Sequence, residues 1–183
     1  MGKLDNLGAI VTGAAEGIGE AIALELASNG AKVACIDFNE KSGSETEKKI
    51  IDSGGEAVFI ETDISDPDQV KNMVNSSVEF LGSIDILVNN AAKFTFGAVE
   101  DVSQGEWEDI LKVNVIGYST CVKEALPHLK KSGKSAVVNL ASVSSLIAGP
   151  KFVPYNTSKG AVLMLTRSLS VDLAEYGIRV NAV

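Results

Sequence analysis

Apolar positions in this 183-residue chain fall into short dense runs separated by longer amphipathic stretches. Leu7–Thr12, Lys32–Asp37, Glu56–Glu61, Ile84–Asn89, Ser135–Ala141 and Ile178–Val183 are the dense runs, and their length of about six residues predicts buried strands. Helical spacing predicts a helix from about Gly17 to Asn29, stopped by Gly30, and a polar-faced one over Glu40–Asp52, ended at Gly54-Gly55. Asp66-Pro67 places an N-cap acid before a proline at the first helical position. That helix should run to Phe80 and stop at Gly82. Ser103-Gln104-Gly105-Glu106 fits a capping box at the head of a long helix to about Leu129. Pro154–Ala174 reads as the last helix, ended near Gly177. Strands alternating with helices imply βαβ units. The expected fold class is therefore α/β, a doubly wound parallel sheet with helices on both faces, in one domain over residues 1–183.

Composition narrows the possible partners. Apolar residues make up 45% and charged residues 22%, ordinary for a soluble globular protein. A formal charge of −8 argues against nucleic acid or an anionic membrane surface as partner. It does not argue against an anionic cofactor, because backbone amides bind phosphate without lysine or arginine. No apolar run reaches the roughly 18 residues of a membrane span, and Met1–Asp5 lacks the apolar segment of a signal peptide. Cys35 and Cys121 stand alone, with no close His or Cys to make a metal site or disulfide framework. They read as packing residues, and the expectation is a cytoplasmic protein with no metal.

Thr12-Gly13-Ala14-Ala15-Glu16-Gly17-Ile18-Gly19 follows the first predicted strand and opens the first helix. That is the context a phosphate-binding turn requires. Gly13 would permit the tight turn, Gly17 would let backbone approach a pyrophosphate, and Gly19 would allow close helix packing. The helix N-terminus adds amides and partial positive charge. Asp37 closes the second strand, where an acid can accept hydrogen bonds from the adenosine ribose and repel a 2′-phosphate. Glu16 adds negative charge and no arginine follows Asp37, so NAD is favoured over NADP. Asp63-Ile64, after the third strand, could flank the adenine or be ordinary loop.

Tyr155 and Lys159 are one helical turn apart and share a helix face. A phenol with a reference pKa of about 10 is a poor acid–base catalyst near neutrality. A neighbouring ammonium favours the phenolate. The pair is therefore a candidate proton donor and acceptor for an alcohol or carbonyl, although the spacing also arises on solvated helices.

Taken together, these residues resemble the short-chain dehydrogenase/reductase family. Its glycine loop matches Thr12–Gly19, and its N-N-A-G motif appears as Asn89-Asn90-Ala91-Ala92, with alanine for the last glycine. Its helix asparagine is Asn114, its serine Ser142 and its Y-x-x-x-K pair Tyr155 and Lys159. The resemblance implies a Rossmann-type fold, an NAD-dependent oxidoreductase and a small alcohol or carbonyl substrate. It implies that Tyr155 is the general acid/base and that Lys159 lowers its pKa and binds the nicotinamide ribose. Ser142 would polarise the substrate oxygen. Asn114 would hold a relay water where a mid-helix asparagine near Gly117 distorts the helix. Gly13, Ala15, Glu16, Gly17, Ile18, Gly19, Asp37, Phe38, Asp63, Ile64, Asn90, Ala91, Ala92, Tyr155 and Lys159 would contact the cofactor. It further implies a homotetramer or dimer, with the two long helices as interface.

Three readings complete the picture. His128, beside Lys130 and Lys131, reads as a surface or helix-end residue. The Phe94/Phe96 pair and Trp107 could pack at a subunit interface or a substrate entrance, and for Trp107 the expectation is core packing. Arg179–Val183 ends the chain within a predicted strand. The expectation is that the family's substrate lid and last strand are absent. A catalytically silent or truncated NAD-binding module is the alternative to the enzyme.

Overall fold

Residues 2–183 are described by the computed structural model, and Met1 lies outside them. Six parallel strands form one sheet in the order β3-β2-β1-β4-β5-β6. These are β1 (Gly8–Thr12), β2 (Lys32–Asp37), β3 (Glu56–Glu61), β4 (Ile86–Asn89), β5 (Ala136–Asn139) and β6 (Arg179–Ala182). Every residue of β1 is buried, as a central strand covered on both faces requires. The predicted first, fourth, fifth and sixth strands are each shortened at their ends, where pairing gives way to loop.

The helices are α1 (Gly17–Ser28), α2 (Glu40–Asp52), α3 (Pro67–Leu81), α4 (Gln104–Leu111), α5 (Tyr118–Ser132) and α6 (Val153–Asp172). On one face of the sheet, Ala23 and Ala27 of α1 and Ile50 of α2 are buried with Val11, Val33 and Cys35. On the other, Met73, Val122 and Val162 from α3, α5 and α6 pack on Ile10, Leu87 and Val137. The expected α/β fold with helices on both faces is the observed one. Cys35 and Cys121 are buried free thiols, and burial pushes both up to about 12, consistent with inert packing. Trp107 is only half-buried, so a core position for it is not borne out.

Two predicted helix starts have their caps. Asp66 accepts from the Asp68 and Gln69 amides at 2.9 and 3.3 Å ahead of Pro67. Ser103 and Glu106 form the reciprocal capping box. The long helix expected from Ser103 to Leu129 is present as an unbroken helical stretch from Gln104 to Ser132, but its middle is widened. Between α4 and α5 lies a π-helical segment, Lys112–Gly117, around the fully buried Asn114. Such inserts are costly and cluster at functional sites. Here the insert brings Gly117 against Ile64, where a Cβ would stand 2.9 Å from the Ile64 carbonyl oxygen.

Candidate active site

In this strand order the direction of winding reverses between β1 and β4. Loops leaving neighbouring strand ends diverge there and open a crevice. A cleft of about 880 Å³ occupies this place, within the range of ligand sites. All fifteen residues assigned to the cofactor from sequence line it. They come from the loops after β1, β2, β3 and β4, from the first turn of α1 and the end of β2, and from α6. Asn114 and Ser142, the remaining two candidates, are not among its lining residues.

The glycine loop is built by backbone contact. Gly13 has φ 67°, and a Cβ there would meet the Ala91 Cα at 2.7 Å. A Cβ on Gly19 would collide with the Gly13 carbonyl oxygen. Gly17, by contrast, has open space where its Cβ would be. The loop is tied to the end of β4 by two residues. Asn90 Nδ2 donates to the Thr12 and Gly13 carbonyls, each at 3.0 Å. Thr12 Oγ1 accepts from the Asn90 and Ala91 amides at 3.0 and 3.2 Å and donates to Val88 O. Sequence reasoning does not single out Thr12 as a site residue. Its position next to the first glycine is the available signal, but threonine suits a strand anyway.

Asp37 braces the same loop from β2. Its Oδ2 accepts from the Ala15 amide and its Oδ1 from the Asn39 amide, both at 3.0 Å. A carboxylate has about four acceptor positions, so capacity remains for ligand hydroxyls. Glu16 and Ile18 are exposed at the rim, as is Phe38, a residue 76% exposed beside Asp37. Asp63 is exposed, with its Oδ1 accepting from Ser65 N, whereas Ile64 is buried beneath the cleft floor.

At the other end of the cleft stands Lys159. Its Nζ donates to the Leu140 carbonyl at 2.6 Å, 5.9 Å from the Tyr155 ring centroid and 5.7 Å from that of Tyr118. Burial lowers its ammonium to about 8. Two aromatic faces offset part of the desolvation of this cation. Tyr155 itself is half-buried and lines the cleft.

Asn114 works as a tie. Its Oδ1 accepts from Lys93 N at 2.8 Å, while its Nδ2 donates to Lys93 O and to Ser158 Oγ, both at 3.0 Å. Ser158 Oγ donates in turn to the Tyr155 carbonyl at 2.8 Å. The loop after β4, the π segment and the turn carrying Tyr155 are thereby linked. Both amide donors of Asn114 are used within the protein. Ser142 caps a short 3₁₀ turn, Val143–Ser145, with its Oγ accepting from Ser144 N at 3.1 Å. Its hydroxyl proton has no protein acceptor among the described hydrogen bonds. Ser145 Oγ donates to Lys159 O, holding that turn on α6. The sequence does not point to Ser158 or Ser145, since serines carry little signal without their partners.

Among the described residues there is no cluster of three or more His, Cys, Asp or Glu able to hold a metal. No described helix is long and apolar enough to cross a membrane.

Comparison with known proteins agrees with this geometry. The family described as short chain dehydrogenase matches residues 8–183. An uncharacterized oxidoreductase of Thermotoga maritima is 44% identical over 175 residues, covering 95% of this chain and 68% of that protein. Carveol dehydrogenase from Mycobacterium avium, solved in complex with NAD, superposes with a TM-score of 0.95 at 31% identity, over 100% of this chain and 71% of its own. NAD⁺-bound xylitol dehydrogenase does so with a TM-score of 0.95 at 34% identity, over 98% and 70%. With the glycine loop, the crevice at the reversal of winding and these relatives in agreement, the chain belongs to the short-chain dehydrogenase family, a family of oxidoreductases.

Proposed function

We propose that this protein moves a hydride between NAD and a small secondary alcohol or ketone, with Tyr155 as its general acid/base. The observation that carries the reading is a single cleft holding a glycine loop and Asp37 at one end and the Tyr155–Lys159 pair at the other. The dinucleotide fits the residues present. Gly17 leaves its Cβ position open, Asp37 keeps acceptor capacity, and the α1 N-terminus faces the loop. Gly13, Ala15, Glu16, Gly17, Ile18 and Gly19 would hold the pyrophosphate. Asp37 and Phe38 would take the adenosine ribose, Asp63 and Ile64 the adenine, and Asn90, Ala91 and Ala92 the middle of the cofactor. Asp37 and Glu16 make NAD the preferred form. Bound there, NAD⁺ supplies the hydride acceptor for oxidation and NADH the donor for reduction.

The residues of the chain manage the proton and the orientation. In oxidation Tyr155 Oη takes the hydroxyl proton of the alcohol; in reduction it returns a proton to the carbonyl oxygen. The stoichiometry is one alcohol and one NAD⁺ giving one ketone, one NADH and one proton. Lys159, held by Leu140 O, keeps positive charge beside the phenol and would donate to the ribose of a bound nicotinamide. Ser142 retains a hydroxyl proton for the substrate oxygen. Asn114 positions Lys93 and, through Ser158, the turn bearing Tyr155. Asn114 Oδ1 accepts one bond within the protein and keeps a second acceptor position for a relay water.

The test is NADH formation at 340 nm with a panel of secondary alcohols. Turnover that Tyr155→Phe lowers by at least about 10²-fold is expected, the scale of a lost general acid/base. Turnover surviving that change would sink the mechanism. Tight NAD binding without any turnover would favour a silent binding module.

A further inference from the structure

Three phenylalanines surround the Tyr155 ring. Phe94 lies flat on it, with centroids 4.9 Å apart and planes 15° from parallel. Phe152 meets it edge-on at 6.4 Å and 75°. Phe96 joins the two, 4.7 Å from Phe152 and 6.0 Å from Phe94. The rings come from segments far apart in sequence, and backbone fastens those segments together. Gly97 N donates to Lys151 O at 2.8 Å, and an isolated parallel bridge pairs Gly97 with Phe152. Lys151 takes a φ of 61° at this junction, a conformation that non-glycine residues seldom adopt. Such backbone persists only where surrounding contacts impose it, and it clusters at ligand clamps.

The rings do not bury one another. Phe94 is 58% exposed, Phe96 56% and Phe152 39%. Structural phenylalanines are usually buried, and a contiguous exposed apolar patch marks a binding surface. Phe94 and Tyr155 also line the cleft directly. The cation next to them, Lys93, is paired with Asp109 at 2.6 Å, which leaves the wall apolar in character. Ring faces prefer other ring faces, stacked or edge-on, at the spacings seen here.

We propose that Phe94, Phe96 and Phe152 form a specificity wall that selects secondary alcohols and ketones bearing a flat ring beside the reacting carbon. The proposal rests on the oxidoreductase reading and names the substrate class of that same site. A short aliphatic alcohol can reach Tyr155 but leaves the wall wet. An aryl alcohol covers it.

The probes are 1-(2-naphthyl)ethanol and 2-butanol, oxidised with saturating NAD⁺, and 2-acetylnaphthalene for binding to the NADH-loaded protein by calorimetry. The naphthyl alcohol should exceed 2-butanol in kcat/KM by on the order of a hundredfold. Phe94→Ala and Phe152→Ala should each reduce that ratio about tenfold, whatever the absolute rates, and weaken 2-acetylnaphthalene binding by a similar factor. A wild-type ratio near one, or a ratio and a binding constant that neither variant moves, overturns the wall. Tyr155-dependent turnover with a ratio near one removes the wall and leaves the oxidoreductase reading standing. Absence of turnover with ketone binding that still depends on Phe94 and Phe152 does the reverse.

Discussion

Lys159 is 2% exposed, and burial lowers its pKa from 10.5 to about 8. The folded state therefore binds fewer protons than the unfolded state between those two values. The ammonium destabilises the fold in full below pH 8, and the cost fades as pH climbs toward 10.5. From the size of the shift that cost is on the order of 3 kcal/mol. Lys159→Met removes the charge at similar volume but leaves the Leu140 carbonyl without its donor, a loss of roughly 1–3 kcal/mol. The variant is expected to match or exceed wild-type stability by about 1 kcal/mol at pH 7 while losing turnover. Its advantage should vanish near pH 10, as wild-type lysine discharges. Urea melts at pH 7 and pH 10 check this, and a variant clearly less stable at pH 7 contradicts it. Lys159 itself is legible from the spacing to Tyr155. Its enclosure between the Tyr155 and Tyr118 rings is not, because Tyr118 reaches it only after the π segment turns α5.

Elements meet differently at the two ends of the sheet. Opposite the cleft, Asp85 joins β1, β4 and α5. Its carboxylate accepts from Gly8 N at 2.8 Å, from Ser83 Oγ at 2.7 Å and from Ser132 Oγ. Burial pushes Asp85 up, but the bonds from Ser132, Gly8 and Ser83, with the Lys134 charge, outweigh it and hold the group below its usual 3.8. A depressed carboxylate contributes stability above that value and loses it as pH falls through the folded one. Asp85→Ala should cost about 2–4 kcal/mol, since it strands buried donors, without changing NAD affinity. In wild type this contribution should disappear in acid below pH 3.8. Calorimetric melts with cofactor titrations measure both, and a fall in NAD affinity would show that the strand ends are coupled to the cleft. The capped starts of α3 and α4 are legible in the sequence because caps are local. The π segment between α4 and α5 is half legible. Asn114 and Gly117 point to distortion, but the extra turn width is set by Lys93, Ser158 and Ile64.

At the scale of the whole molecule, four strand-end loops and α6 must converge for one dinucleotide, so ligand binding should stabilise the entire fold. At a hundredfold excess over Kd, NAD should add about 2.7 kcal/mol, or roughly 5–10 °C in Tm for a chain of this size. NADP should give a much smaller shift, and Asp37→Ala should narrow the difference. Equal shifts from both cofactors in wild type would remove the assigned role of Asp37. Much of this site is encoded locally. Glycine loops, caps and the Tyr155–Lys159 turn depend on backbone conformation and on neighbours a few residues away, so the order of residues determines them. The alternation of strand and helix likewise determines a parallel α/β sheet. Strand order, the crevice at the β1–β4 reversal and the roles of Thr12, Asn90 and Ser158 are decided by the tertiary structure. So is the ring wall, whose halves are joined by the Gly97–Lys151 backbone bond and by ring contacts across it. These depend on pairing between residues tens of positions apart, and no local pattern in the chain encodes which distant partner will arrive.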